Sequence, residues 1–387
     1  MATTNISRND RPKPLRQSDI LTEMRDEIVS GRLAPGMRLP TRRQLLKKYR
    51  SSLMTIHHVC NSLIRDGFAE PRGKLGTFVS ANPPHLCDYG LVFYSRQGTK
   101  DWRRFDAAML NEASTSDWTH ARKMHFYYDI MGHSDAQAEQ SRLLSDVSAH
   151  KLAGLIFTTN PPISVMEALS QQSLHVPVTA ILGQADIPNL TAVMLNRESL
   201  IAKALDYLAG RGRRRVAFLN KFQSSNLARL EERQRQLEEQ QRASEKRQRA
   251  SAAQRGMTCE PHWTLSVDTS GVGNVVHLLF ESGRPNRPDA LIITDDNLVE
   301  YATAGLVTAG VRVPDDVDVV AHCNFPWPVP SAVPVKRIGY DTREVLRQCV
   351  SVIDMQRQGQ TPPEQVFVEA VFEEEMAAVV SAQLVAS

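Results

Sequence analysis

The 387-residue sequence predicts an α/β protein, with an N-terminal winged helix-turn-helix domain followed by a two-lobed domain of parallel sheets. In the first eighty residues, short amphipathic helix patterns alternate with turn signals and end in a hairpin pattern. After residue 88, buried apolar runs alternate with helical patterns, which is typical of parallel sheets covered by helices. The chain is longer than one ordinary domain, and its second part has room for two lobes.

Composition excludes several classes of protein. Hydrophobic residues make up 42% of the chain, which excludes a largely disordered protein. The start has no apolar run typical of a signal peptide, and no stretch is long enough to cross a bilayer. Five scattered cysteines form no CxxC pair, which favours reduced thiols and no metal site. We therefore expect a cytoplasmic protein without a membrane partner.

The sequence lacks the common catalytic signatures. It contains no G-x-S-x-G, HExxH, P-loop or Rossmann glycine pattern. The segment SGVGNVV is too isolated to indicate phosphate binding and is more typical of a loop that opens a helix. We therefore expect no catalytic residues and no cofactor.

Charge divides the chain into a basic head and a mildly acidic body. Residues 1–82 hold 15 Lys and Arg against 7 Asp and Glu, whereas the remainder holds 31 against 36. A small basic head of this kind is expected to bind a polyanion. The predicted division is a disordered tail at 1–14, the basic domain at 15–82, a linker at 83–88 and the two-lobed domain at 89–387.

The first two helices of the head carry recognisable start and stop signals. Ser18 or Asp19 can cap the first helix, and Gly31 can supply a left-handed stop. Thr41 opens the second helix, where Gln44 completes a capping-box pattern. The second helix has only about two turns, which is too short for a stable isolated helix, so it must pack on its neighbours.

The third helix has one apolar face and one polar face. Ser52 can cap its start and Gly67 ends it. The inward face is expected to comprise Ile56, Val59, Cys60, Leu63 and Ile64. The outward face is expected to comprise Met54, Thr55, His57, His58, Asn61 and Arg65. Two short strands then flank a basic, glycine-rich tip from Arg72 to Gly76.

Three small helices and a hairpin form a winged helix-turn-helix, whose recognition helix enters the major groove of duplex DNA. Arg42, Arg43, Lys47 and Lys48 lie where phosphates would pass, and phosphate contacts position such a protein. The residues predicted to contact DNA are Thr41, Arg42, Arg43, Ser52, Met54, Thr55, His57, His58, Arg72, Gly73, Lys74 and Gly76. The alternative is a solvated helical hairpin whose charges only confer solubility, and the two histidines could equally contact phosphate or water.

The head resembles the GntR family of bacterial repressors. The segments IVSGRLAPGMRLPTRRQL and RGKLGTFV carry this resemblance, which spans residues 15–79. By resemblance, Arg43 contacts the DNA backbone and groove, and Ser52 and Thr55 lie at the start of the recognition helix. Gly76 falls on the wing-tip glycine that approaches the minor groove.

The head departs from the family pattern in its recognition helix. Family members usually read S-R-T-T-V-R, whereas this chain has SLMTIH, so that Leu53 and His57 replace two arginines. Arginine is the side chain that most often binds guanine. The departure therefore implies an altered operator.

The body resembles the effector domain of the LacI family, which has the type I periplasmic-binding-protein-like fold. The segments LAGLIF, YLAGRGRRRVAFL, RPDALIITDD and GVRVPDDVDVVAHCN carry the resemblance, over roughly residues 89–375. Ligands of such folds bind at the carboxyl ends of the strands, between the lobes. The resemblance implies a small-molecule effector, a carbohydrate or a derivative.

The residues expected to bind the effector follow from this resemblance. They are Tyr94, Ser95, Arg229, Asp295, Cys323 and Tyr340. Arg229 falls on the family's hydroxyl-binding arginine, and Asp295 on the Asn of its N-D pair. Because Cys323-Asn324 replaces Asp-Asp, the strongest sugar acceptor is missing. An intact fold with an emptied pocket is the alternative.

A charged segment at 229–255 predicts a long helix, because it lacks glycine, proline, aromatic and β-branched residues. Its length makes the placement of Arg229 ambiguous, and Arg242 competes with it for the same role. We expect a solvated helix with ion pairs between successive turns. The alternative is a helix that contacts a partner.

These observations together predict a DNA-binding transcriptional regulator, and more specifically a repressor. A homodimer is expected, because two operator half-sites match a protein with a two-fold axis. One alternative is a solute-binding protein, for which the basic head would have no use. Another is a regulator whose C-terminal domain only dimerises.

Overall fold

The computed structural model describes residues 15–115, 122–130, 136–171, 175–183, 190–222, 231–281 and 286–376. The chain divides into two compact units. The first unit comprises Met1–Ser95, Ser114–Thr179 and Val352–Thr361, and the second comprises Arg96–Ala113, Ala180–Ser351 and Pro362–Ser387. The predicted tail at 1–14 and the candidate Arg229 lie outside the described residues.

The head contains three helices, α1 Gln17–Val29, α2 Arg42–Tyr49 and α3 Leu53–Arg65. The capping box predicted for α2 is confirmed. The Thr41 hydroxyl accepts the Gln44 backbone N–H at 3.3 Å, and the Gln44 side-chain oxygen Oε1 accepts the Thr41 backbone N–H at 2.8 Å. Such reciprocal bonds satisfy backbone donors that the first turn leaves without partners.

The start of α1 differs from the prediction. The helix begins at Gln17, so that Arg16 is the N-cap residue in place of Ser18 or Asp19. Asp19 still serves the helix start, because its carboxylate accepts the Arg16 N–H at 3.2 Å. At the other end, Gly31 has the predicted left-handed conformation, with φ 76°.

The hairpin predicted after α3 is present. Strand β1 Ala69–Pro71 pairs antiparallel with β2 Thr77–Val79, and a 3₁₀ turn at Gly73–Leu75 joins them. Gly73 and Gly76 have φ angles of 53° and 107°, in the region that glycine enters without steric cost. The tip of the wing is therefore a tight turn that carries basic side chains.

One apolar core holds the head together. Leu45 and Tyr49 anchor the short helix α2 to it, as its length requires. Each fully buried aliphatic side chain contributes roughly 1.5–3 kcal/mol. The members of this core are Ile20, Met24, Ile28, Leu39, Leu45, Tyr49, Ile56, Val59, Cys60, Leu63, Phe68, Ala69 and Val79.

A short helix, α4 Pro84–Cys87, follows the wing and leads directly into strand β3 Asp88–Val92. The His85 ring stacks on Phe68 of the head, with the ring centroids 6.1 Å apart and the planes 7° from parallel. Arg357, which belongs to the same compact unit, donates to the Leu86 carbonyl at 2.9 Å. The segment that joins head and body thus packs against protein on both sides.

The remaining elements alternate between strands and helices, as predicted. In chain order they are α5 Arg104–Ala113, β4 Lys123–Tyr127, α6 Ala136–Ser148, β5 Gly154–Phe157, α7 Ile163–Gln171, β6 Val178–Leu182, β7 Ala192–Leu195, α8 Arg197–Gly210, β8 Val216–Lys221, α9 Glu231–Gln254, β9 Thr264–Val267, α10 Val272–Phe280, β10 Ala290–Ile293, α11 Val299–Thr308, β11 Asp318–Phe325, β12 Lys336–Asp341, α12 Thr342–Arg357, β13 Gln365–Val368 and β14 Val371–Phe372.

The sheets are parallel in both compact units. In the first unit, β3 lies between β4 and β5, and both pairings are parallel. In the second unit, β7 pairs in parallel with β6 and β13, and a further sheet has the order β14-β12-β11-β10-β8-β9. Only its edge strand β14 is antiparallel. The carboxyl ends of β8, β10, β11 and β12 therefore lie along one edge.

Helix α9 corrects one expectation. We expected a solvated helix, but in its C-terminal half Gln248 and Ala252 are buried, with exposed fractions of 3% and 0%. Arg242, the competing ligand candidate, has an exposed side chain, 4.0 Å from the Glu238 carboxylate. Among the described residues, no helix is both long and apolar enough to span a membrane.

Candidate functional site

Helix α2 presents exposed positive charge. Arg42, Arg43 and Lys47 are exposed, and none of them has a carboxylate of a described residue within 4.0 Å. Lys48, also predicted to lie near phosphates, is different. Its ammonium pairs with Glu27 at 2.7 Å and with Glu23 at 3.0 Å on α1. Three cations of α2 thus remain available for phosphates, and Lys48 instead fastens α2 to α1.

The first turn of α3 combines hydroxyl groups with exposed apolar side chains. The Ser52 hydroxyl accepts the Thr55 N–H at 3.1 Å, and the two hydroxyl oxygens are 2.8 Å apart. Leu53 and Met54 are 60% and 64% exposed. One turn later, His57 lies with Nδ1 3.3 Å from Asn61 Nδ2. His58 is exposed beside His57.

The wing carries two basic side chains, Arg72 and Lys74. Arg72 pairs with Glu70 at 2.6 Å and lies over the Phe78 ring, 4.6 Å from its centroid. Lys74 is exposed at the tip. A side chain on Gly76 would lie 3.0 Å from the Arg38 guanidinium, so the chain passes close to that arginine.

The first unit holds two of the predicted effector residues. Tyr94 lines a small, solvent-open apolar recess at the carboxyl ends of β3 and β5, together with Phe93, Ile130, Phe157 and Asn160. Ser95 is 1% exposed, and its hydroxyl has no hydrogen-bond partner in the described parts of the chain. The same holds for the Asn160 side-chain oxygen.

In the second unit, polar residues gather at the ends of β10 and β11. The Asp295 carboxylate accepts two hydrogen bonds from Asn297, at 2.9 Å from the backbone N–H and 2.7 Å from the side chain. Asn324 donates to Asp296 at 2.6 Å. Burial, reinforced by the neighbouring Asp295, raises the pKa of Asp296 to about 7. This pair of acids can accept hydroxyl hydrogens.

Tyr340 and His322 lie at the same edge of the sheet. Their ring centroids lie 5.7 Å apart. Burial lowers the pKa of His322 to about 4 and raises the pKa of Tyr340. Both side chains are therefore uncharged at neutral pH.

Arg197, at the start of α8, reaches the end of the neighbouring strands. Its guanidinium donates to the Asn220 side-chain oxygen and to the Thr294 hydroxyl, at 3.1 Å each. Desolvation at the guanidinium lowers the pKa of Arg197, although the residue as a whole is exposed. Gln248 of α9 holds Asn220 from the other side. The arrangement fixes a guanidinium whose other N–H groups can bind a ligand.

The predicted residue Cys323 lies differently. It is 1% exposed, and burial raises the pKa of its thiol to about 12. Along a strand, side chains alternate between faces, so Cys323 points away from the side that His322 and Asn324 share. It is the following residue, Asn324, that donates a hydrogen bond to Asp296. Among the described residues, no cluster of His, Cys, Asp or Glu is placed to hold a metal ion.

Sequence reasoning missed Arg197, Asn220 and Asn324. A signal for the first two existed, because Arg197 follows strand β7 and Asn220 lies at the carboxyl end of β8, where ligands of parallel sheets bind. No local pattern indicated that Gln248, in a charged helix, would join them. In the sequence, Asn324 stands out only as a departure from a family pattern, whereas in the structure its amide donates to Asp296.

Comparison with known proteins agrees with both halves of this description. Residues 16–79 match the family model for bacterial regulatory proteins of the gntR family, and residues 205–373 match that for a periplasmic binding protein-like domain. An arabinose metabolism transcriptional repressor of Geobacillus stearothermophilus is 22% identical over 347 residues, which cover 84% of this chain and 86% of that protein.

Solved structures support the fold of the body. The transcriptional regulator LacI of Bacillus cereus subsp. cytotoxis NVH 391-98 has a TM-score of 0.54 at 15% identity, over 74% of this chain and 96% of that one. A LacI-family regulatory protein of Chloroflexus aggregans has a TM-score of 0.52 at 15% identity, over 73% and 96%. At these identities the likeness concerns the fold, and the predicted fold class is confirmed. The chain is therefore a transcriptional regulator that joins a GntR-family DNA-binding domain to a periplasmic-binding-protein-like domain of the fold found in LacI-family regulators.

Proposed function

We propose that this regulator is a repressor, which binds its operator as a homodimer and senses a carbohydrate-like effector through its C-terminal domain. The observation that carries the proposal is the head surface, where α2 exposes three cations without a carboxylate partner among the described residues, and the first two turns of the next helix, α3, carry no Lys, Arg, Asp or Glu. In this arrangement α2 and the wing contact phosphates, and the first turns of α3 contact base edges.

The DNA contacts divide into two groups with different consequences. Arg42, Arg43 and Lys74 are exposed cations that would bind phosphates of any sequence. Thr55 and His57 lie in the first two turns of α3, where side chains reach base edges. Loss of the first group lowers affinity for every duplex, whereas loss of the second lowers the preference for the operator.

The effector site is proposed at the carboxyl ends of the strands in the second unit. Asp295 and Asp296 supply acceptors for hydroxyl groups, and Arg197 supplies donors. Neutral Tyr340 adds an aromatic side chain to the same edge. Paired acceptors and donors beside an aromatic group suit a polyhydroxylated ligand, and the relative named for arabinose metabolism agrees with this class.

Effector binding would alter DNA binding only if the effector prefers one of two arrangements of the protein. In a homodimer, such a shift would change the spacing of the two heads and their fit to two half-sites. The proposal places this protein in the cytoplasm, where its operator is.

DNA binding is tested by fluorescence anisotropy with the full chain. The operator is first selected from a random duplex library at low salt. We expect the selected duplex to bind more tightly than a shuffled duplex, and both affinities to fall as salt rises. If neither duplex is bound at low salt, the proposal is contradicted and a solute-binding role gains support.

Effector binding is tested by thermal shift with L-arabinose, D-ribose, D-glucose and their acids. Asp295→Asn is the test variant, and Asp315→Asn, at an exposed position in the loop before β11, is the matched control. We expect a ligand to raise the Tm of the wild type and of the control, and to raise that of Asp295→Asn less. If no member of this panel shifts any Tm, a domain that only dimerises is favoured.

A further inference from the structure

The first turn of α3 exposes two large apolar side chains side by side. Leu53 is 60% exposed and Met54 is 64% exposed, whereas Ile56 and Val59 of the same helix are fully buried. The pair therefore contributes nothing to the core of the head. Adjacent exposed apolar side chains of this size commonly mark a binding surface.

The polar side chains around this pair form hydrogen bonds with one another. Ser52 accepts the Thr55 N–H, and the two hydroxyl groups also bond to each other at 2.8 Å. One turn on, His57 and Asn61 lie within 3.3 Å of each other. At the start of α3, Leu53 and Met54 thus expose apolar surface that the head does not bury.

The surroundings of the pair are positively charged. Arg42, Arg43 and Lys47 on α2 are exposed, and no carboxylate of the described residues lies within 4.0 Å of them. Lys74 adds a further exposed cation on the wing. A second apolar protein surface would gain nothing from these charges, but duplex DNA would, because its phosphates flank each groove.

The major groove of DNA offers one apolar group, the C5-methyl group of thymine. We propose that Leu53 and Met54 bind thymine methyl groups, so that the operator carries thymine where the tip of α3 enters the groove. Leucine has no hydrogen-bond donor and cannot bind the acceptors of guanine, which an arginine at this position would bind. The inference rests on the proposed DNA binding and names the base that the helix tip recognises.

Deoxyuridine provides the test, because uracil differs from thymine only in the missing methyl group. Each thymine of the selected operator is replaced by deoxyuridine in turn, and affinity for the full chain is measured by anisotropy. We expect one or two positions at which the wild type loses about fourfold in affinity, the effect of burying one methyl group. Other positions should tolerate the replacement.

Two variants connect the effect to the side chains. In Leu53→Ala or Met54→Ala, the ratio of the affinities for thymine and uracil at the sensitive position should fall towards one. Both residues are exposed, so these changes leave the core of the head intact. Ile163→Ala is the control, because Ile163 is a 73% exposed apolar residue on α7, outside the head. It should keep the fourfold ratio.

Three results would overturn the inference. The first is that deoxyuridine is tolerated at every position. The second is that the ratio of the affinities for thymine and uracil is unchanged in both variants. The third is that the variants change the oligomeric mass of the protein in solution without DNA, which would assign the pair to a protein contact. Each leaves salt-dependent duplex binding in place and so contradicts this inference alone. Failure to bind any duplex contradicts the proposed function itself.

Discussion

Gln248 on helix α9 and Asn220 at the end of β8 exchange two hydrogen bonds. Gln248 Nε2 donates to Asn220 Oδ1 at 2.8 Å, and Asn220 Nδ2 donates to Gln248 Oε1 at 3.1 Å. The same Asn220 oxygen accepts from Arg197 and Thr294. The charged helix is therefore fastened to the strand end that holds Arg197 in place.

Replacement of Gln248 by alanine should destabilise the protein by about 1–3 kcal/mol. The change leaves both polar atoms of the buried Asn220 amide with fewer partners, and unsatisfied buried groups are costly. The measurement is urea unfolding followed by circular dichroism. The control Lys246→Ala, at an exposed position two residues earlier on α9, should stay within about 0.5 kcal/mol of the wild type. Equal effects of the two variants would contradict the buried amide pair.

Replacement of Gly339 by alanine should prevent normal folding of the second unit. A Cβ atom on Gly339 would overlap the carbonyl group of Cys323 on the adjacent strand β11. The control Gly210→Ala adds its methyl group to open space at the end of α8, where alanine favours the helix by up to about 1 kcal/mol. Soluble yield and Tm provide the comparison. A Gly339→Ala protein with the Tm of the wild type would contradict the close approach of β11 and β12.

Acid should destabilise the contact between the head and α4. Burial, together with Arg357 and His150, lowers the pKa of His85 from 6.5 to about 4. Between these pH values the unfolded chain binds a proton that the folded protein does not, so stability is lost as the pH falls from about 6.5 towards 4.

The variant His85→Phe keeps a ring against Phe68 but cannot take up a proton. We therefore expect its Tm to fall less than that of the wild type between pH 7 and pH 5. His262→Phe, at an exposed position, should follow the wild type. Parallel curves for all three proteins would show that the His85 side chain does not contribute to the acid sensitivity.

Replacement of His57 by alanine should relax the preference at one or two base pairs of the operator. Its ring lies in the second turn of the proposed recognition helix, with Nδ1 3.3 Å from Asn61 Nδ2, so its loss would remove one proposed base contact. A good base contact is worth about 1–3 kcal/mol of discrimination. Anisotropy with single-base variants of the operator measures the change. Equal loss on every duplex would instead place His57 against the phosphates.

Features that depend on neighbouring residues in the chain were predictable from the sequence. The capping box of Thr41 and Gln44, the Ser52 cap and the glycine-rich wing tip each involve only a few consecutive residues. The strand and helix order of the body followed from hydrophobic periodicity. Such signals are local, so they remain readable without the tertiary structure.

Features that depend on distant residues were not predictable. The sequence predicts that Lys48 lies near the phosphates, yet its ammonium pairs with two glutamates more than twenty residues earlier in the chain. The network of Arg197, Asn220 and Gln248 joins three elements that no spacing rule connects. In these cases the tertiary structure determines which charged side chains form ion pairs and which amides form hydrogen bonds with each other.

The central claim is that the basic head binds duplex DNA through α2, α3 and the wing. The most direct measurement is the affinity of full-length wild type, Arg43→Ala and Arg347→Ala for one duplex as the salt concentration varies. Arg347 lies on α12, outside the head, and is likewise an exposed arginine. The account predicts that Arg43→Ala binds every duplex more weakly, with a salt slope reduced by about 0.9, and that Arg347→Ala matches the wild type. Identical slopes for all three proteins, or no salt-dependent binding by the wild type, would contradict it.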